Sequence, residues 1–208
     1  MQVSDLYYKK YLKYKNKYLN LQSQIGGHFI DIVIDGIVLL RETDTIDLTN
    51  AKLSVDDVNQ LIENLPHFIN LKNLILTNTG IDLYEARQLA TALTNKTSLE
   101  TLILTSNSID DDGAIAIANI LDTLTNLKKL DLLSNSISHS GIIELANALE
   151  SNTSLTFLDI GNNDILKPTY ILLAEKLKQN TTLQTLKGIL EEYQDLFLFS
   201  NPKLTLNI

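Results

Sequence analysis

Three histidines, His28, His67 and His139, are the first candidates for acid–base work in this 208-residue chain, histidine being the residue type most used as a general acid or base. A histidine base needs a nucleophile and an orienting carboxylate within hydrogen-bond reach, and no such trio shares a spacing here that would bring it together. His28 precedes an apolar run, His67 follows Pro66 in a loop, and His139 opens a helical segment. Cysteine is absent, which removes thiol catalysis, disulfides and Cys-ligated zinc. There is no glycine-rich phosphate loop. Asp110-Asp111-Asp112 offers oxygen ligands for a hard cation, but it stands where a helix starts, and carboxylates there cap free N–H groups and offset the helix dipole. Asn95, Asn152 and Asn180 each open an Asn-x-Ser/Thr triplet; all three fall in turns before strands, and Met1 to Asn20 is too polar for a secretory signal, so they read as turn formers. No metal, cofactor or catalytic residue is assigned, and the expectation is a non-enzymatic protein.

Recognition by a surface is the chemistry that remains, and a repeat supplies the elements that would build one. Segments begin in phase at Thr43, Leu71, Leu99, Leu127, Leu155 and Leu183, 28 residues apart. Each copy carries the frame Leu-x-x-Leu-x-Leu-x-x-Asn-x-Ile, clearest at Leu99, Leu102, Leu104, Asn107, Ile109 and at Leu127, Leu130, Leu132, Asn135, Ile137. Leu102 and Leu104 are two apart, so a short strand turns both to one side and presents Thr101, Ile103 and Thr105 on the other. The Asn column (Asn107, Asn135, Asn163) falls where the chain leaves the strand, and an amide with both donor and acceptor satisfies backbone groups that the turn would bury unpaired. Thr79 and Ala51 replace it in the first copies. Twelve positions into each copy stand Ser54, Asp82, Asp110, Ser138 and Leu166, four of them good helix N-caps, with Asp82 and Glu85 at capping-box spacing. Downstream, Ile117, Ala118, Leu121 and Leu145, Ala146, Leu149 form the stripe that lays a helix on the strand layer.

This pattern resembles the leucine-rich repeat family and, within it, the ribonuclease-inhibitor-like subclass, whose copies carry Gly-x-x-x-Leu-Ala-x-x-Leu; Gly141, Leu145, Ala146 and Leu149 match that segment. The resemblance covers residues 43 to about 187. It implies an α/β solenoid, a horseshoe arc with a parallel sheet on the concave side and helices on the convex side, serving as a binding scaffold whose partner the family name does not fix.

The ends of the chain differ from the repeats. Residues 1–27 carry five lysines against Asp5, a net +4, which leaves −12 of the total −8 for residues 28–208. Tyr7, Tyr11, Tyr14, Tyr18, Leu21 and Ile25 recur at helical intervals, predicting a basic amphipathic helix that ends at Gly26-Gly27. Three readings of this segment stand open: a cap docked on the acidic solenoid, an arm for an anionic surface, or a self-associating strand. Its Tyr-Tyr-Lys-Lys-Tyr run ending in Gly-Gly resembles a leader recurring on otherwise unrelated proteins of giant DNA viruses. Two β-rich runs across Asp35-Gly36 predict a hairpin within residues 28–42, placed to cover the open edge of the first repeat strand. Residues 43–187 are the repeats, and residues 188–208, with Gly188 in place of a core leucine, are expected to form the C-terminal cap.

Strand residues facing the hollow are the candidate contact surface: Asn73, Ile75, Thr101, Ile103, Lys129, Asp131, Leu133, Phe157 and Asp159. Ile75, Ile103, Leu133 and Phe157 are expected as an exposed apolar stripe beside the acidic pair Asp131 and Asp159. Six strands at ~4.8 Å and three outward residues at ~3.3 Å give about 300 Å², below the ~800 Å² per partner of a stable interface, so modest affinity is expected unless other elements contribute. The functional expectation is a protein–protein interaction module, a viral protein engaging a host or viral partner, with no nucleic acid on the acidic repeats. The alternative is a structural or assembly protein of a viral particle that uses the N-terminal helix for self-association or surface attachment. An intracellular location, in the host cytoplasm or the virion, goes with both readings. No apolar run approaches the ~20 residues of a membrane span.

Overall fold

The computed structural model describes residues 32–207; the expected N-terminal amphipathic helix lies outside them. A hairpin, β1 (Ile32–Ile34) and β2 (Ile37–Leu39), precedes seven three-residue strands: β3 (Thr45–Asp47), β4 (Asn73–Ile75), β5 (Thr101–Ile103), β6 (Lys129–Asp131), β7 (Phe157–Asp159), β8 (Thr185–Lys187) and β9 (Thr205–Asn207). The seven form one parallel sheet in sequence order. Parallel neighbours need a crossover, and a helix supplies it between successive repeat strands: α1 (Val55–Asn64), α2 (Leu83–Leu93), α3 (Asp111–Ala118), α4 (His139–Ser151) and α5 (Lys167–Lys176), with the short α6 (Gln194–Ser200) before β9.

The register explains the period. Leu74, Leu102, Leu130, Leu158 and Leu186 pair in a line across the sheet, and every one is at most 1% exposed. With Leu76, Leu104, Leu132 and Ile160 they form one continuous core under the helices. Burying one leucine contributes about 1.5–3 kcal/mol, so columns of this length dominate the stability of the stack. Gly141 shows how close the helices come: a Cβ there would stand 2.6 Å from Ile137 Cγ2 and 2.8 Å from an Asp111 carboxylate oxygen.

The asparagines form a shared ladder. Asn135 donates from Nδ2 to Leu132 O of its own copy and to Leu104 O of the copy before, both at 3.0 Å, and its Oδ1 accepts the Ile109 N–H at 3.1 Å. Asn107 and Asn163 repeat that arrangement one copy away in either direction. Leu104 O and Leu132 O therefore each receive two amides. Thr79 keeps only part of the pattern, its hydroxyl donating to Leu76 O of its own copy at 2.9 Å.

Helix starts follow the sequence at three sites and depart from it at a fourth. Ser54 and Asp57, and Asp82 and Glu85, form reciprocal capping boxes, and Asp110 Oδ1 accepts the Gly113 N–H at 3.2 Å. Ser138, expected to cap α4, does not. Its hydroxyl instead donates to Asp111 Oδ2 at 2.6 Å, and Asp111 Oδ1 accepts the Ser138 and Gly141 N–H groups at 2.7 and 3.0 Å. The cap of α4 thus comes from the preceding copy. A carboxylate is a stronger acceptor than a hydroxyl and sits where the helix dipole favours negative charge.

Both ends depart from the repeat. The hairpin forms as predicted, with Ile32 opposite Leu39 and a two-residue turn in which Asp35 (φ 45°) and Gly36 (φ 75°) are both left-handed. It is a separate two-stranded sheet, however, and it packs on α1 rather than pairing with β3. Among the described residues the β3 edge therefore has no hydrogen-bonded strand beside it, although hairpin and β3 residues line one groove. Ile32, Ile34 and Leu39 are buried in the same core as the repeat leucines. At the other end, the residues expected as a cap include a seventh parallel strand: Leu206 pairs with Leu186, 20 residues away instead of 28. Gly188 permits the shortening. At φ 87° it turns the chain out of β8 so close to the neighbouring copy that a Cβ would lie 2.3 Å from Gly161 N.

Candidate functional site

Strand alternation presents two rows of side chains on the sheet's outer face, with a third just beyond the strand ends. One row runs Asn73, Thr101, Lys129, Phe157, Thr185, and the next Ile75, Ile103, Asp131, Asp159, Lys187. Leu133 follows β6 in the third. All nine candidate residues lie on this face. The structure brings them together differently from a single exposed apolar stripe: Ile75, Ile103, Leu133 and Phe157 are half-buried and fall into separate patches. Ile75 and Ile103 are register neighbours, whereas Leu133 lies over the backbone of Gly161, its Cδ1 3.0 Å from where a Cβ would sit.

Phe157 is the centre of the other patch. Lys129 Nζ lies 4.7 Å from its ring centroid and Lys187 Nζ 5.5 Å. Each such cation–π contact contributes about 0.5–1 kcal/mol at an exposed site. Lys187 was outside the residues singled out from sequence. Its column was legible there, but its reach to a ring in the adjacent row depends on side-chain direction across two strands.

The acidic pair does structural work as well. Asp131 Oδ1 accepts the Thr105 hydroxyl at 2.7 Å and the Leu133 N–H at 3.2 Å, and Asp159 Oδ1 accepts the Gly161 N–H at 2.9 Å. Asp159 is 6% exposed, and that burial pushes its carboxyl above the ordinary value, with the like charge of Asp131 adding to it against the pull of the Gly161 amide, Lys187 and Lys129. The C-terminal half of the face is therefore a balanced cluster of two ammoniums and two carboxylates around one aromatic ring. Asn73, Thr101, Ile75 and Ile103 form an uncharged patch toward the N-terminal side, bordered by Asp47 of β3 in register with Ile75.

The residues weighed for chemistry take other places. His28 lies outside the described residues, His67 sits in a 3-10 turn (Leu65–His67), and the His139 ring meets Thr169 Oγ1 at 2.9 Å. Asp110 and Asp111 are both committed to capping, while Asp112 faces Arg87 at 3.9 Å on the surface. No cluster of three or more metal-ligating side chains occurs among the described residues.

A second ladder escaped the sequence reading. Asn152 and Asn180, noted only as turn formers, are 7% and 3% exposed and donate to Leu121 O and Leu149 O at the ends of the preceding helices. Their burial shuts them off from glycosylation. Lys96 occupies the same column two copies earlier and is 8% exposed, its ammonium donating to Leu65 O at 2.7 Å and Pro66 O at 3.3 Å. Burial lowers its pKa below the ordinary lysine value. The signal that could have revealed this ladder is that Lys96, Asn152 and Asn180 fall in one column of the 28-residue period, two copies and then one copy apart.

A family model described as the leucine-rich repeat matches residues 95–118, 123–146 and 151–166, three windows whose starts repeat the period of the sheet. No curated protein matches the chain by sequence. Among solved structures, the actin-binding site 2 region of leiomodin-1 is 25% identical over 72% of this chain and 89% of that one, with a TM-score of 0.60. The tropomodulin C-terminal domain of Caenorhabditis elegans is 19% identical over 71% of this chain and 92% of that one, with a TM-score of 0.62, and shares the fold. Residues 95–166 carry the matched leucine-rich repeats, and the described chain has the α/β leucine-rich repeat fold, a seven-stranded parallel sheet backed by helices.

Proposed function

We propose that this protein is a non-enzymatic protein-binding module that engages its partner through the concave sheet face. The observation that carries the proposal is the composition of that face. An uncharged patch of Ile75 and Ile103 adjoins the Lys129, Phe157 and Lys187 cluster on one rigid sheet. Aromatic and aliphatic anchors beside fixed charges are what a protein partner's mixed surface requires. Actin is the partner to test first, because a solved neighbour with 25% identity is an actin-binding site. The ribonuclease-inhibitor-like subclass belongs to the proposal, resting on the 28-residue period and the Gly141-Leu145-Ala146-Leu149 segment. A viral origin, with a host or viral protein as partner, belongs to it on the resemblance of the N-terminal segment alone.

The test compares wild type with the double substitution Ile75→Asp and Ile103→Asp. Binding to purified monomeric actin, and capture from cell lysate in parallel, should fall at least tenfold while circular dichroism stays unchanged. Undiminished capture of the same protein by the double variant would remove the concave face from the function, and wild type that leaves actin unbound would remove actin.

A further inference from the structure

We propose that residues 1–27 dock in cis across the open N-terminal end of the sheet, tyrosines on Ile37 and Leu40 and lysines on Glu42, Asp44 and Asp47. β3 pairs with β4 on one side, and no strand covers its other side among the described residues. Between that edge and the hairpin lies a groove of about 480 Å³ lined by Ile37, Leu39, Leu40, Glu42, Thr45 and Asp47. Ile37 and Leu40 are 40% and 55% exposed, large apolar groups left in water at a strand edge, where uncovered backbone invites a foreign strand.

The occupant follows from sequence position, charge and composition. Ile32 pairs with Leu39, which itself lines the groove, so the chain enters the described structure beside it. Residues 28–31 separate the segment from that point and reach ~13 Å when extended. A tether that short holds the segment at an effective concentration of order millimolar, far above what a separate copy offers in dilute solution. The segment carries a net +4. Glu42 and Asp47 line the groove, Asp44 is exposed between them, and no lysine lines it. Tyr7, Tyr11, Tyr14 and Tyr18 bring amphipathic rings suited to half-exposed aliphatic carbons with water at the rim.

Amide hydrogen exchange on the full chain tests this. Amides between Ile37 and Asp47 should exchange at least tenfold more slowly in wild type than in a full-length variant with Lys9, Lys10, Lys13, Lys15 and Lys17 replaced by Glu, and Leu40→Glu should release the same amides. In the unsubstituted chain 1 M salt, which shortens the screening length to ~3 Å, should release them too, so the test does not depend on a variant folding. The β9 amides serve as control and should not respond. Equal exchange in wild type and both variants, or no response to salt, would overturn the proposal. So would protection that disappears on dilution, because the groove would then be held by a second copy.

Discussion

Asn135→Ala isolates what the asparagine ladder contributes. The side chain is 8% exposed, so water does not replace it at once. Removing it leaves the Ile109 N–H without the acceptor it has at 3.1 Å. The two carbonyls fare better: Leu104 O keeps Asn107 Nδ2 at 3.0 Å and Leu132 O keeps Asn163 Nδ2 at 3.0 Å. An orphaned buried amide costs about 1–3 kcal/mol and each of the two lost bonds about 0.5–1.5, which places the substitution at about 4 kcal/mol. Asn135→Thr should recover about 1 kcal/mol, because a threonine hydroxyl in this column donates to its own copy's carbonyl, as Thr79 does to Leu76 O at 2.9 Å. Urea unfolding of the full chain followed by far-ultraviolet circular dichroism measures both, and an unchanged slope shows that the stack still unfolds as one unit. A loss below about 1 kcal/mol for Asn135→Ala, or a threonine no better than alanine, would refute the shared-ladder account.

Asp111→Asn should cost about 1–2 kcal/mol near neutral pH by weakening a cap that crosses between copies. Burial pushes the Asp111 carboxyl up, but the hydrogen bonds from Ser138, Gly141 and Ser140 outweigh it and hold the pKa below the ordinary value. Wild type should therefore lose that contribution as pH falls from the unfolded-state aspartate pKa through the lower folded one, and thermal melts across acid pH should converge on those of the variant; parallel curves would contradict this. Lys96→Asn should leave stability within about 1 kcal/mol of wild type, since Asn152 and Asn180 make the same bond to the preceding helix end, whereas Lys96→Ala should cost about 2 kcal/mol by removing a charged donor from Leu65 O, which keeps only the Phe68 N–H, and from Pro66 O. Because burial lowers the Lys96 pKa, wild-type stability relative to Lys96→Asn should rise as pH climbs from the folded value toward the ordinary lysine range. Denaturant midpoints measured across alkaline pH check the sign, and a fall would refute it.

The period of the sequence determined the architecture, because Leu102, Leu130 and Leu158 can bury themselves only if successive copies lie in register. The Asn107, Asn135 and Asn163 column and the Asp35-Gly36 turn were legible for a related reason: each is a local backbone requirement that few residue types meet. The outward-facing columns were legible as a list of positions, since alternation along a strand fixes which side chains share a face.

What a copy borrows from its neighbour was decided only by the tertiary structure. Asp111 caps a helix that starts 28 residues later, and Lys96 reaches a carbonyl 31 residues earlier. Lys187 covers a ring in the adjacent row. Such contacts depend on the distance between stacked copies and on side-chain direction, and neither leaves a mark in the spacing of residue types. The ends followed the same division: the hairpin was written in Asp35-Gly36, but its place on α1 as a separate sheet, with Ile32, Ile34 and Leu39 in the core, depends on contacts with residues far along the chain that its own sequence does not specify.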